Sequence, residues 1–187
     1  MVDSTVYFRA MARNNAWANY RLLGACVQLT DDAFQAERTS FFPSLMLTLN
    51  HILTVDWFYV DALEGGTLGP AAWADEVPCK TAAQLATAQK AVDQRLIDFC
   101  NGLDDAGLAE TCQIRRENHI QVDRNDRILL HVFMHQVHHR GQAHAMLAGT
   151  GIAPPQLDEF FPAEDARLRG ADLAALGWQE AEIWRGL

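Results

Sequence analysis

Several signatures of common protein classes are missing from this 187-residue sequence. It holds no block of five like charges, and its arginines are spread along the chain. The clustered basic face of a nucleic-acid-binding protein is therefore not expected. No run of eighteen apolar residues occurs, so no membrane span is expected either. The opening stretch MVDSTVYFRAMARNN lacks an apolar h-region, which argues against a signal peptide. The four cysteines, Cys26, Cys79, Cys100 and Cys112, are scattered and form no C-x-x-C pair. Scattered thiols predict a reduced, cytoplasmic protein and neither a disulfide framework nor a thiolate metal site. There is no G-x-S-x-G nucleophile motif, no internal repeat and no low-complexity segment. The formal net charge of −9 is modest for this length and serves solubility.

What is present is a chain with 49% apolar residues, enough for one domain over residues 1–187 with a substantial core. Apolar residues at steps of three and four predict four long helices, an all-α bundle over about residues 5–150. The first runs from Val6 to Gln28, with Asn15 on its apolar face, where a polar residue needs a buried partner. The second starts near Pro43 and stops before Gly65 and Gly66, with a polar strip of Asn50, Thr54, Asp61 and Glu64. His51 and Asp56 fall inside its broad apolar arc. Thr81 and Gln84 match a capping box that starts the third helix, which carries no histidine and reads as scaffold. Alternation at 111–114 and 119–122, around a turn of Arg116, Glu117 and Asn118, predicts a small hairpin. The fourth helix follows Asn125 or Asp126 and ends at Gly149. The apolar arm over residues 151–187 should pack on the bundle or on a second subunit.

The chemistry concentrates in the fourth helix. His131, His135, His138, His139 and Gln142 fall within one arc of about 100° on the wheel. Apolar residues flank that arc, so it should face inward and leave Gln136, Arg140 and His144 exposed. Burying several imidazoles is costly unless each finds a partner, and a divalent metal is one that neutral imidazoles suit. The 1.5 Å rise separates His131 from His139 by about 12 Å, too far for one ion. The workable pairs are His131/His135, His135/His138 and His135/His139, and His135 is in all three. A third ligand should come from another helix, where His51 is the remaining histidine on a buried face. Asp56 lies about 140° around its helix from His51 and cannot easily join the same ion. It could orient a histidine or pair with an arginine.

Three stretches carry a resemblance to the DinB/YfiT-like family of four-helix metalloproteins. They are Asn15-Ala16-Trp17-Ala18-Asn19, Asn50-His51-Ile52-Leu53 and the segment from His135 to Gln142. The resemblance implies a four-helix bundle with His51, His135 and His139 as ligands, and it selects His139 over His138. His131, His138, Gln142, Asn15 and Asp56 are then expected around the metal or in its pocket, with zinc or nickel as the ion. Relatives in this superfamily include thiol-dependent S-transferases and isomerases. The expected function is thus a metal-dependent enzyme of thiol S-transferase or hydrolase type, acting on a small thiol or electrophile. The competing expectation is a non-catalytic, stress-related metal-binding module. The broad apolar coverage and the habit of the family together predict a homodimer.

Overall fold

Local capping chemistry sets where four of the helices begin in the computed structural model, which describes residues 4–185. Helix α1 spans Thr5–Cys26. The Thr30 hydroxyl accepts from Ala33 N at 3.2 Å and starts the short α2, Asp31–Gln35, which the periodicity did not predict. Ser44 accepts from Leu47 N at 3.1 Å and opens α3, Leu45–Leu63, leaving Pro43 just outside the helix. The Thr81 and Gln84 capping box opens α4, Ala82–Asn101, as its pattern predicts. Asp104 caps a second short helix, α5, Asp105–Ala109. Strands β1 (Thr111–Arg115) and β2 (Ile120–Arg124) form an antiparallel hairpin in which Thr111 faces Arg124 and Arg115 faces Ile120. Helix α6 spans Asn125–Ala148, and the arm adds α7, Ala166–Leu176, and α8, Glu180–Ile183.

The four long helices share one core: α1 packs on α4 and α6, and α3 packs on the same two. Leu45, Leu49, Ile52, Leu53, Phe58 and Val60 from α3 meet Leu85, Val92 and Leu96 from α4 and Leu129, Val132, Phe133 and Leu147 from α6. Each such side chain contributes about 1.5–3 kcal/mol when removed from water. The hairpin and a 3-10 turn, Gly69–Trp73, lie against α3. The arm folds back onto α1. Trp17, Ala10 and Ala18 enclose Phe160, Leu173 and Ile183 in a second apolar cluster. Trp17 Nε1 donates to Asp172 Oδ2 at 3.0 Å, and Arg21 donates to Asp172 and Glu159 at 2.7 and 3.1 Å. Trp17 therefore anchors the arm. Among the described residues no helix is long and apolar enough to cross a membrane.

Two faces differ from the sequence expectation. On α6, Gln136 and Arg140 are buried, while the apolar Leu130, Met134 and Val137 are exposed, as are His131 and His138. His144 is half-buried and its Nε2 lies 2.8 Å from Pro155 O. On α3, Asn50 and Thr54 are buried instead of forming a solvent strip. The cause is the same in both cases, because these polar groups have internal partners. Asn50 donates to Cys79 O at 2.8 Å and accepts from Cys79 N at 2.9 Å, tying the loop before α4 to α3. A wheel ranks polarity around an axis and carries no information about which neighbours satisfy it.

Candidate metal centre and its buried support

Helices α3 and α6 bring His51, His135 and His139 together, with a nitrogen of each within 4.8 Å of the others. His135 Nε2 stands 3.0 Å from His51 Nε2. Two nitrogens on one tetrahedral ion at about 2.0–2.1 Å would be roughly 3.3 Å apart, so this spacing suits a shared ion. The i,i+4 step on α6 stacks His135 and His139 on one side, ring centroids 4.4 Å apart. Phe42 packs 4.3 Å from the His51 ring.

All three imidazoles are poor proton acceptors. Burial pushes His51 down to about 4, with His139 adding to it. Burial and the crowd of His139, His51, His131 and His138 push His135 down to about 3. His139 is lowered by burial against an opposing contact with Gln142. Its Nδ1 lies 2.7 Å from Gln142 Oε1, which seats the proton on Nδ1 and leaves Nε2 with a lone pair. His135 Nδ1 is buried with no hydrogen-bond partner. Neutral, convergent and partly unsatisfied imidazoles are a donor set that fits a divalent transition metal.

The three rings form one wall of an open cavity of about 550 Å³. Leu47, Val55, Phe58 and Trp73 supply apolar walls, and Tyr59, His131 and Arg116 supply polar ones. His131 is exposed and sits on Tyr59, centroids 4.9 Å apart, with His135 at 6.1 Å. His138 is exposed and is not among the cavity residues; Gln142 Nε2 lies 3.2 Å from its Nε2. Arg116 belongs to the hairpin turn and was read from the sequence only as a turn residue. It lies fifteen positions before His131 on another element, and no local spacing connects the two.

Asn15 and Asp56 lie elsewhere. They belong to a buried polar network behind the histidines, not to the cavity; its members Asn19 and Asp93 also line a second cavity, between α1, α4 and the arm. Gln89 Nε2 donates to Asp56 Oδ2 at 2.7 Å and to Asp93 Oδ1 at 3.1 Å, and Gln136 also donates to Asp56. Asn15 and Asn19 donate to Asp93 at 3.1 and 3.0 Å. Arg140 donates to Asn15, to Asn19 at 3.1 Å and to Gln136 Oε1 at 2.9 Å. Every member is buried, and all four long helices contribute. Burial, with Asp93 nearby, pushes Asp56 up to about 8, and burial raises Asp93 to about 6. Arg140 remains a cation even though burial lowers it to about 10. Gln89 and Asp93 were missed because a seam drawn through apolar positions counts them as outside it.

The comparisons with known proteins point to one family. A family model described as DinB family matches residues 1–172. Protein DinB of Bacillus subtilis (strain 168) is 27% identical over 150 residues, covering 77% of this chain and 86% of that protein. The crystal structure of a DinB-like protein from Bacillus cereus ATCC 10987 shares the fold, with TM-score 0.61 and 18% identity over 77% of this chain and 91% of that one. With a family match that reaches from the first residue through α6 into the arm, the chain belongs to the DinB family.

Proposed function

We propose that this DinB-family protein, a four-helix bundle forming one domain, holds one divalent metal ion on His51, His135 and His139 and uses it as an enzyme. The observation that carries the reading is the convergence of three neutral imidazoles on the wall of an open cavity. Zinc or nickel is the expected ion. Such an ion supplies Lewis acidity, which favours the deprotonated form of a thiol or of water. The chain's own residues do the rest. Gln142 holds the His139 tautomer, Phe42 packs against the His51 ring, and Phe58, Trp73 and Val55 exclude water from one side. A thiol S-transferase or a hydrolase acting on a small electrophile suits that setting better than a purely structural metal, which would be enclosed by protein on all sides. The four buried free thiols support a cytoplasmic location. Leu130, Met134 and Val137 leave an apolar stripe along α6 that supports a homodimer.

Elemental analysis of protein as purified should find about one zinc or nickel per chain, as a three-histidine site takes one ion. His135→Ala should reduce that to background. Cobalt-substituted protein should gain a thiolate charge-transfer band with a small thiol, and thiol conjugation or ester hydrolysis should exceed the His135→Ala background. Full metal occupancy in His135→Ala would overturn the site. A silent spectrum with no turnover would leave the non-catalytic metal-binding module as the function.

A further inference from the structure

We propose that the cavity selects substrates bearing a carboxylate, which Arg116 and Tyr59 bind while the apolar body lies along Phe58 and Trp73 toward the histidines. The inference rests on the metal-centre reading only for where the reacting end of the substrate would sit.

Arg116 is a cation in the cavity wall without an acidic partner. Arg21, Arg95, Arg124 and Arg169 each pair with a carboxylate, whereas Arg116 has none within 4.0 Å among the described residues. Glu76, the cavity's one carboxylate, is exposed and forms no ion pair with it. Neutral contacts hold the guanidinium in place. Its Nε donates to Gln121 Oε1 at 3.0 Å, its Nη2 donates to the Tyr59 hydroxyl at 3.0 Å, and its carbon lies 5.0 Å from the Phe58 ring centroid. The turn beneath it is closed by Arg116 N donating to His119 O at 2.9 Å.

That arrangement leaves two adjacent donors unused. Nη1 of Arg116 has no acceptor among the described residues, and the Tyr59 hydroxyl, already accepting from Nη2, has its own proton to give. Two such donors match the two oxygens of a carboxylate, and the charge on one of them strengthens the bond. Burial and the Arg116 charge both lower the proton affinity of His131 beside them. A single cation with Glu76 in the same cavity favours a monoanion over a doubly charged phosphate. The donors lie two ring steps from the metal centre, 4.9 Å from Tyr59 to His131 and 6.1 Å from His131 to His135. A small organic acid spans that distance.

The test compares phenylbutyrate, phenylbutyramide and phenyl phosphate by quenching of tryptophan fluorescence, since Trp73 lines the cavity. It uses protein as purified and again after metal removal. The acid should bind at least about tenfold tighter than the amide in both forms, the scale of a charge-assisted hydrogen bond. Arg116→Gln should erase that preference and leave amide binding unchanged; Arg116→Lys should keep part of it, and Tyr59→Phe should weaken the acid alone. Should Arg116→Gln fold poorly by its melting curve, Arg116→Lys and Tyr59→Phe carry the comparison. Equal binding of acid and amide, equal loss of both in the variants, tighter binding of the phosphate, or no binding at all would each overturn the proposal. A protein that carries no metal yet prefers the acid would sink the metal reading and leave this one standing.

Discussion

Helix α6 presents two polar regions to the interior, and they are built on opposite terms. Gln136 and Arg140 face the buried network, where side-chain amides, carboxyl groups and one guanidinium hydrogen-bond to each other. His135 and His139 face the cavity one residue before each of them, where a buried imidazole nitrogen has no partner and proton affinity is suppressed. The first region is tied together across all four long helices, with Asp56 Oδ1 its one unpartnered atom, and so it belongs to stability. The second is left incomplete by the fold, and so it belongs to ligand binding. Burial of polar groups is common to both, and so is one unpartnered atom in each; the dense cross-helix hydrogen bonding of the first and the access of the second to the histidine cavity separate them.

The largest effect should come from breaking the hydrogen-bonded region. Arg140→Met takes the cation from beside the buried Asp93 carboxylate and the donor from Asn15, Asn19 and Gln136, and should cost about 3–5 kcal/mol in urea unfolding. Metal content per folded molecule should stay near the wild-type value. A loss of less than about 1 kcal/mol would mean that the network contributes little net stability.

A smaller effect should come from the contact that orients a ligand. Gln142→Ala should weaken metal affinity by roughly tenfold or more, the usual scale for losing the hydrogen bond behind a ligating histidine. Its metal-free stability should barely move, because Gln142 is only half-buried. Competition with a chromophoric chelator measures the first quantity and thermal melting the second. Unchanged affinity would separate Gln142 from the site.

The smallest and most diagnostic effect is the sign of the pH slope in metal-free protein. Asp56 has its folded pKa raised by burial to about 8, so the stability associated with its proton is full at low pH. It is lost as pH rises from about 4 to about 8. The gain in stability from Asp56→Asn over wild type should therefore grow across that window and level off above it. His51 and His135 are bases with depressed folded pKa values, so they act in the opposite sense. Their contribution is full above about 6.5 and is lost as pH falls through about 4 and about 3. A His51→Gln/His135→Gln double variant should flatten that acid limb. Slopes of the same sign in both variants would erase the distinction between the regions.

The histidine cluster was legible because an i,i+4 pair of like side chains has one geometric consequence on a helix, whatever surrounds it. The Thr81 capping box and the hairpin before α6 were legible for a related reason, since their signals are local in the chain. Gln136 and Arg140 were read as solvent-facing because their partners, Asp56, Asn15 and Asn19, lie on α3 and α1, far away in sequence. Asn15 and Asp56 were placed near the metal, since a buried polar residue announces that it has a partner without saying which. Arg116 gave no signal, because its relation to Tyr59 and His131 exists only once the hairpin lies against α3.

From the sequence alone come the long helices, the face of α6 that gathers imidazoles and, through the motifs it shares with the DinB family, the pairing of that face with His51. These follow from backbone periodicity and from side chains within a turn or two of each other. Tertiary structure decided which polar residues are satisfied by one another and which are left facing a cavity. That distinction depends on distances between helices, and a helix carries no record of its neighbours in its own period.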